Sequence, residues 1–173
     1  MPDLYQGTEY WDFSLVDPDN RRPVDFEARE ASLKAAEPPT SLLGTWRDGR
    51  VKQAILARAL AFRASASALF TEGSYTPLSA EGPAADRLLA FARVHEGRAA
   101  IVVVSRFTAK LAGMSDWPLP GSGAWKGTDL LIPRSLAGRQ GADVLGGMDG
   151  PLPGRLPIAE ILGSLPVALL EVK

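Results

Sequence analysis

The chain has 173 residues, a net charge of −1 at neutral pH and 46% hydrophobic residues, enough for one domain, or a domain with a subdomain, around an ordinary apolar core. Without cysteine and with a single histidine, His95, it excludes disulfides, thiolate sites and multi-histidine metal centres, and without a basic excess it excludes nucleic acid and anionic membranes as partners. No apolar run reaches the roughly 18 to 20 residues that span a bilayer, and Pro2-Asp3 replaces the start of a signal peptide, so a cytoplasmic protein with no metal and no cofactor is expected.

The first predicted element is a short strand, Asp3–Gln6, with Leu4 and Tyr5 at its heart and Gly7 closing it. Residues 8–23 follow as a polar and aromatic loop stiffened by Pro18 and Pro23. Residues 24–36 predict a short amphipathic helix with Glu27, Arg29 and Glu30 facing water, ended by Pro38-Pro39. Residues 40–47 form a connector that tucks in Leu42, Leu43 and Trp46. Asp48 then reads as the N-cap of the clearest helix, from Val51 to about Ala66. Its apolar face holds Val51, Ile55, Leu56, Ala59, Leu60 and Phe62, and Lys52, Arg58 and Arg63 line the other side.

From Gly73 the pattern becomes strand-like, over 74–79, 87–94 and 99–107, with Glu96-Gly97 as a hairpin turn. A long loop is expected over 108–123, a strand over 128–133, and one short strand near Asp143–Leu145 within glycine-rich residues 134–155. Residues 156–165 predict a helical turn opened by Pro157, and 166–172 a final strand. Such spacing argues for an antiparallel β-sandwich over 71–173. A short strand, a loop rich in carboxylates, guanidinium groups and aromatics, then a helix is how one unit of a (β/α)8 barrel presents its active-site side. The expected fold class is therefore α+β: residues 1–70 as the last β/α unit of a TIM-type barrel whose other strands lie elsewhere, followed by the sandwich.

A sugar site needs flat aromatic faces for the C–H patches of a ring, and carboxylates, amides and guanidinium groups for its hydroxyls. The loop supplies Tyr10, Trp11 and Phe13 beside Asp12, Asp17, Asn20 and Arg21. Composition alone leaves open a second reading, in which the aromatics are core and Asp17 and Arg21 form a surface ion pair. Elsewhere His95 reads as an exposed hairpin residue, and Trp117 and Trp125 as loop-anchoring packing or, alternatively, a surface glucan platform. The stretch 138–154 lacks the lysine and the strand-to-helix context of a phosphate loop.

YQGTE followed by DPDNRRP resembles the stretch after the eighth barrel strand of the α-amylase-type glycosidase and transglycosidase clan, and both lie within the longer string PDLYQGTEYWDFSLVDPDNRRPVDF. With LLGTWRDGRVKQAILARAL downstream, it resembles in particular the α-1,4-glucan 1-α-glucosylmutase family. The likeness runs through LFTEGSYTPL, RLLAFAR and LPVALL, and is looser across 108–155. It implies an enzyme that converts the reducing-end α-1,4 linkage of a maltooligosaccharide to α,α-1,1, in trehalose biosynthesis. It also implies retaining chemistry, with an aspartate nucleophile and a glutamate acid/base about 5–5.5 Å apart. These groups, and a second aspartate that stabilises the transition state, lie on earlier strands, so the resemblance implies no catalytic residue in this chain and no activity for it alone.

What the resemblance carries over is a substrate-binding set. Asp17 and Arg21 match the clan's Asp-Pro-x-Asn-Arg spacing for holding a distant glucose, Tyr5 and Gln6 fall near the floor of the site, and Asn20 and Arg22 brace the loop. The implied partners are a maltooligosaccharide or other α-glucan and a missing N-terminal catalytic barrel. Two alternatives remain: a stand-alone carbohydrate-binding β-sandwich module, and a fragment of another amylase-clan hydrolase.

Overall fold

A computed structural model gives the structure of the chain and describes residues 4–15, 21–112 and 119–173. The residues cluster into two compact units, Met1–Ala61 and Phe62–Lys173, and the division falls inside a helix.

In the first unit, helix α1 (Phe26–Ala35) is capped by Asp25, whose carboxylate accepts the Ala28 N–H at 2.9 Å. Glu27 in its first turn and Lys34 in its last complement the helix dipole. Ala36 leaves the helix in the left-handed region, at φ 51°. The connector is a 3-10 segment, Pro39–Asp48, with Leu42 buried and Leu43 and Trp46 half-buried. Gly49 (φ +86°) ends it, and Asp48 accepts the Arg50 N–H at 2.9 Å to open helix α2 (Arg50–Ser65). On α2 the expected apolar face is only partly covered. Val51 and Phe62 are buried, Ile55, Leu56 and Ala59 half-buried, and Leu60 exposed.

The predicted opening strand does not form over its described residues. From Tyr5 the backbone turns: the Tyr5 carbonyl accepts the Thr8 N–H at 3.2 Å and the Thr8 hydroxyl at 2.7 Å, with Gly7 at φ +97°. A strand needs a neighbour for its N–H and C=O groups, and no strand lies among the described residues of this unit. Two basic residues expected in water also turn inward. Arg29 and Lys52 both bond backbone carbonyls of the loop.

In the second unit, helix α3 (Ser67–Thr71) leads into strands β1 (Ser74–Pro77), β2 (Ala80–Glu81), β3 (Leu88–His95) and β4 (Arg98–Ser105). The segment read as a long loop contains the single turn α4 (Ala109–Ala112) and a 3-10 turn, Ser122–Trp125. Then come β5 (Asp129–Leu131), β6 (Gln140–Asp143), β7 (Asp149–Pro151), β8 (Arg155–Pro157), α5 (Ile158–Ile161) and β9 (Val167–Val172). Where one strand was expected near Asp143–Leu145, β6 and β7 form an antiparallel pair on either side of that point.

All pairings are antiparallel. A six-stranded sheet runs β1-β3-β4-β9-β6-β7 and a three-stranded sheet β2-β5-β8. Glu96 and Gly97, both at positive φ, make the β3–β4 turn. The period of two aligns one core layer across the central strands. Ala92 pairs with Ile101 and Ile101 with Leu170, while Ala90 pairs with Val103 and Val103 with Ala168. These residues share one apolar cluster with Leu130 and Leu156 of the smaller sheet and with Trp125. The fold class is thus mixed α+β with antiparallel sheets.

Candidate functional site

The loop from Gly7 to Ser14 is held by side chains that α1, the 3-10 segment and α2 point at it. Gly49 passes so close beneath it that a Cβ there would lie 2.7 Å from the Trp11 nitrogen and 2.8 Å from the Tyr10 Cβ. Only glycine gives that clearance and the positive φ together. Lys52 Nζ donates to the Thr8 carbonyl at 2.6 Å and the Tyr10 carbonyl at 2.9 Å. Arg29 donates to the Gly7 carbonyl at 2.8 Å, to Glu9 at 3.1 Å and to the Asp25 carbonyl at 2.9 Å, and its guanidinium lies 4.6 Å from the Tyr10 ring centroid. Behind them, buried Gln53 donates to the Arg29 carbonyl at 3.0 Å and accepts from Ser32, whose oxygen is 2.8 Å from the Tyr10 hydroxyl. Each buried polar group here thus has a partner.

Trp11 is anchored three ways. Its indole N–H donates to the Trp46 carbonyl at 2.6 Å, its ring meets the Trp46 ring edge-on at 6.4 Å between centroids, and Lys52 Nζ lies 5.9 Å from its centroid. It is nonetheless 39% exposed, and Phe13 is 86% exposed. The loop aromatics are therefore not core. Trp11, Asp12, Phe13, Arg22, Asp25 and Arg29 line a groove of about 460 Å³. Aromatic faces beside carboxylates and guanidinium groups are a set that can cover a sugar ring and bond its hydroxyls.

Two carboxylates here have lowered pKa values, Asp12 and Glu9. The Ser14 hydroxyl and N–H hold Asp12 below the usual carboxylate range, with Lys52 and Arg22 adding to them. Burial pushes Glu9 up, but its own N–H, the Gly7 N–H and Arg29 outweigh it and leave it lowered.

Tyr5 and Gln6 line a second groove, of about 700 Å³, with Glu9, Lys52, Leu56 and Leu60. Arg22 lines the Trp11 groove, and Arg21 is exposed beside it in sequence. Asp17 and Asn20 lie outside the described residues, as does Trp117. Trp125 is 1% exposed and belongs to the core, so it offers no surface platform. His95 ends β3, half-buried and 3.9 Å from Glu96. No group of acidic or histidine side chains that could hold a metal occurs among the described residues, and none of their helices is long and apolar enough to cross a membrane.

Sequence reasoning missed Gly49, Lys52 and Gln53. One signal was available. Arg50 and Lys52 occupy the first turn of α2, where the helix dipole disfavours cations, so a partner outside the helix was required.

No family model matches the chain. The putative maltooligosyl trehalose synthases of two Mycobacterium tuberculosis strains, CDC 1551 / Oshkosh and H37Rv, are 38% identical to it over 175 residues, covering 98% of this chain and 18% of theirs. The structure of maltooligosyltrehalose synthase from Arthrobacter ramosus matches 99% of this chain and 20% of its own, with a TM-score of 0.75 and 37% identity. A further crystal structure of a maltooligosyl trehalose synthase matches at a TM-score of 0.66 and 25% identity, again over 20% of its length. Fold and comparisons together define a mixed α+β segment with antiparallel sheets that matches one part of a longer protein. The chain resembles the C-terminal part of maltooligosyl trehalose synthase and spans about a fifth of the relatives it matches.

Proposed function

We propose that this chain serves as the C-terminal part of a glucosylmutase that turns the reducing-end α-1,4 linkage of a maltooligosaccharide into α,α-1,1, in cytoplasmic trehalose biosynthesis. The observation that carries this reading is 38% identity over 98% of the chain to maltooligosyl trehalose synthases. On this reading, residues 1–70 complete a catalytic barrel supplied by the rest of the enzyme, and residues 71–173 form the β-sandwich domain behind it. The loop supplies the substrate rim, with Asp17 and Arg21 bonding a glucose unit, Tyr5 and Gln6 near the floor, and Asn20 and Arg22 as braces. The exposed aromatics and ionised Asp12 support a sugar-facing loop. The nucleophile and the acid/base reside in the absent part, and the chemistry requires no metal or cofactor from this chain.

The test is to incubate the purified chain with maltopentaose and follow the loss of reducing ends. None is expected from the chain alone. Loss is expected when the preceding residues of the M. tuberculosis relative are supplied as a separate polypeptide. Turnover by the 173-residue chain unaided overturns the reading.

A further inference from the structure

We propose that Trp11 is the surface on which a pyranose ring of the glucan stacks, and that Lys52 is a positioning residue that fixes its angle from behind. The proposal rests on the carbohydrate reading above and narrows it from a loop to a ring face and its support.

The Trp11 indole, 39% exposed on a groove wall, leaves part of its ring open to a ligand. Trp11 is held at its indole N–H, its ring edge and its backbone. Its N–H is fixed to the Trp46 carbonyl, its edge abuts Trp46, its backbone lies against Gly49, and the preceding carbonyl, of Tyr10, is bonded by Lys52. Lys52 makes no ion pair among the described contacts and spends two N–H donors on the Thr8 and Tyr10 carbonyls. A protonated amine that bonds two loop carbonyls defines backbone position in a way that a surface charge does not. The groove beside the ring carries Asp12 and Arg22, the charged acceptor and donor that sugar hydroxyls require. Preorganisation of this kind lowers the cost of ordering the site on binding.

The test is titration of the chain with maltopentaose, followed by NMR on the indole N–H signals, with the Trp11 signal assigned from Trp11→Phe. The Trp11 signal is expected to shift on binding. Affinity should fall about tenfold in Trp11→Ala and stay within about threefold in Trp11→Tyr, which keeps a stacking face. Lys52→Met should weaken binding about fivefold and speed exchange of the Trp11 indole proton, and Lys52→Arg should restore both. Gly49→Ala should displace Trp11 in the same way while far-UV circular dichroism still reports the helices. Affinity unchanged in Trp11→Ala, with the unmutated chain binding, overturns the platform and leaves the carbohydrate reading standing. No binding by the unmutated chain, alone or together with the preceding residues of the M. tuberculosis relative, overturns both. Unaltered indole exchange in Lys52→Met, or loss of helix in both Lys52→Met and Gly49→Ala, overturns the positioning role.

Discussion

The two units hold their shape by opposite means. In the second, Ala92, Ile101 and Leu170 sit side by side in register, a small residue against larger ones, and the layer is fully buried. In the first, few large side chains are buried, and loop and helices are joined by bonds from Arg29, Lys52 and Gln53 to backbone carbonyls. The difference concerns what each unit requires of its surroundings. An apolar core is self-sufficient. The first unit leaves Tyr5, Phe13, Leu15, Phe26 and Leu33 exposed, against Tyr75, Leu89, Val104 and Phe107 in a longer second unit, and so has more apolar surface for its length still to cover. That agrees with the proposal that residues 1–70 complete a larger domain.

The comparison breaks most easily under proteolysis. Limited digestion is expected to trim the chain towards residue 70 and leave the antiparallel sheets as a resistant fragment, read by mass spectrometry. Equal resistance along the whole chain would show the first unit to be as self-sufficient as the second. Next in size, Ile101→Ala should cost the second unit about 2–5 kcal/mol in denaturant unfolding, because the rigid strands around it cannot close the cavity. A loss below about 1 kcal/mol would mean that the layer is loosely packed.

Smaller, but sharper, is an opposite response to acid. The folded-state pKa of Glu9 is lowered, so the stability it contributes is present above its unfolded value and is lost as pH falls through the folded one. Asp143 is the reverse. Burial pushes it up, against the N–H groups of Leu145, Leu169 and Gly147 that lower it. The second unit therefore gains stability as pH falls through that raised value towards the ordinary aspartate value of about 3.9. Urea unfolding followed by NMR should show the Gly7 signal lost earlier with acid and the Leu169 signal later, with Glu9→Gln and Asp143→Asn each abolishing its own trend. Parallel shifts in both units would remove the distinction.

How far the sequence could be read follows the same divide. The strands of residues 74–107 and 166–172 were legible because one buried face imposes a period of two, and because Glu96-Gly97 supplies the positive φ that a tight hairpin needs. β6 and β7 were harder, since Gly141 and Gly150 face each other there and leave little side-chain pattern. At the loop, residue types suggested exposed aromatics, and the structure does keep Trp11 and Phe13 out of the core. The clamp behind them was not legible. Lys52 and Arg29 bond carbonyls, and a carbonyl is present at every residue, so no sequence pattern marks which one is used. The opening strand is not formed over its described residues, because pairing depends on a neighbouring strand that no local pattern reveals.

Strand β9, from Val167 to Val172, lies between β4 and β6 in the larger sheet. A nascent chain therefore makes the β3–β4 hairpin with one edge open and the β6–β7 pair with nothing to join, and only residues 167–172 weld the two. Assembly of the larger sheet must wait until β9 leaves the ribosome. A premature stop ahead of residue 167 would release not a smaller domain but two unsealed ribbons, open to aggregation.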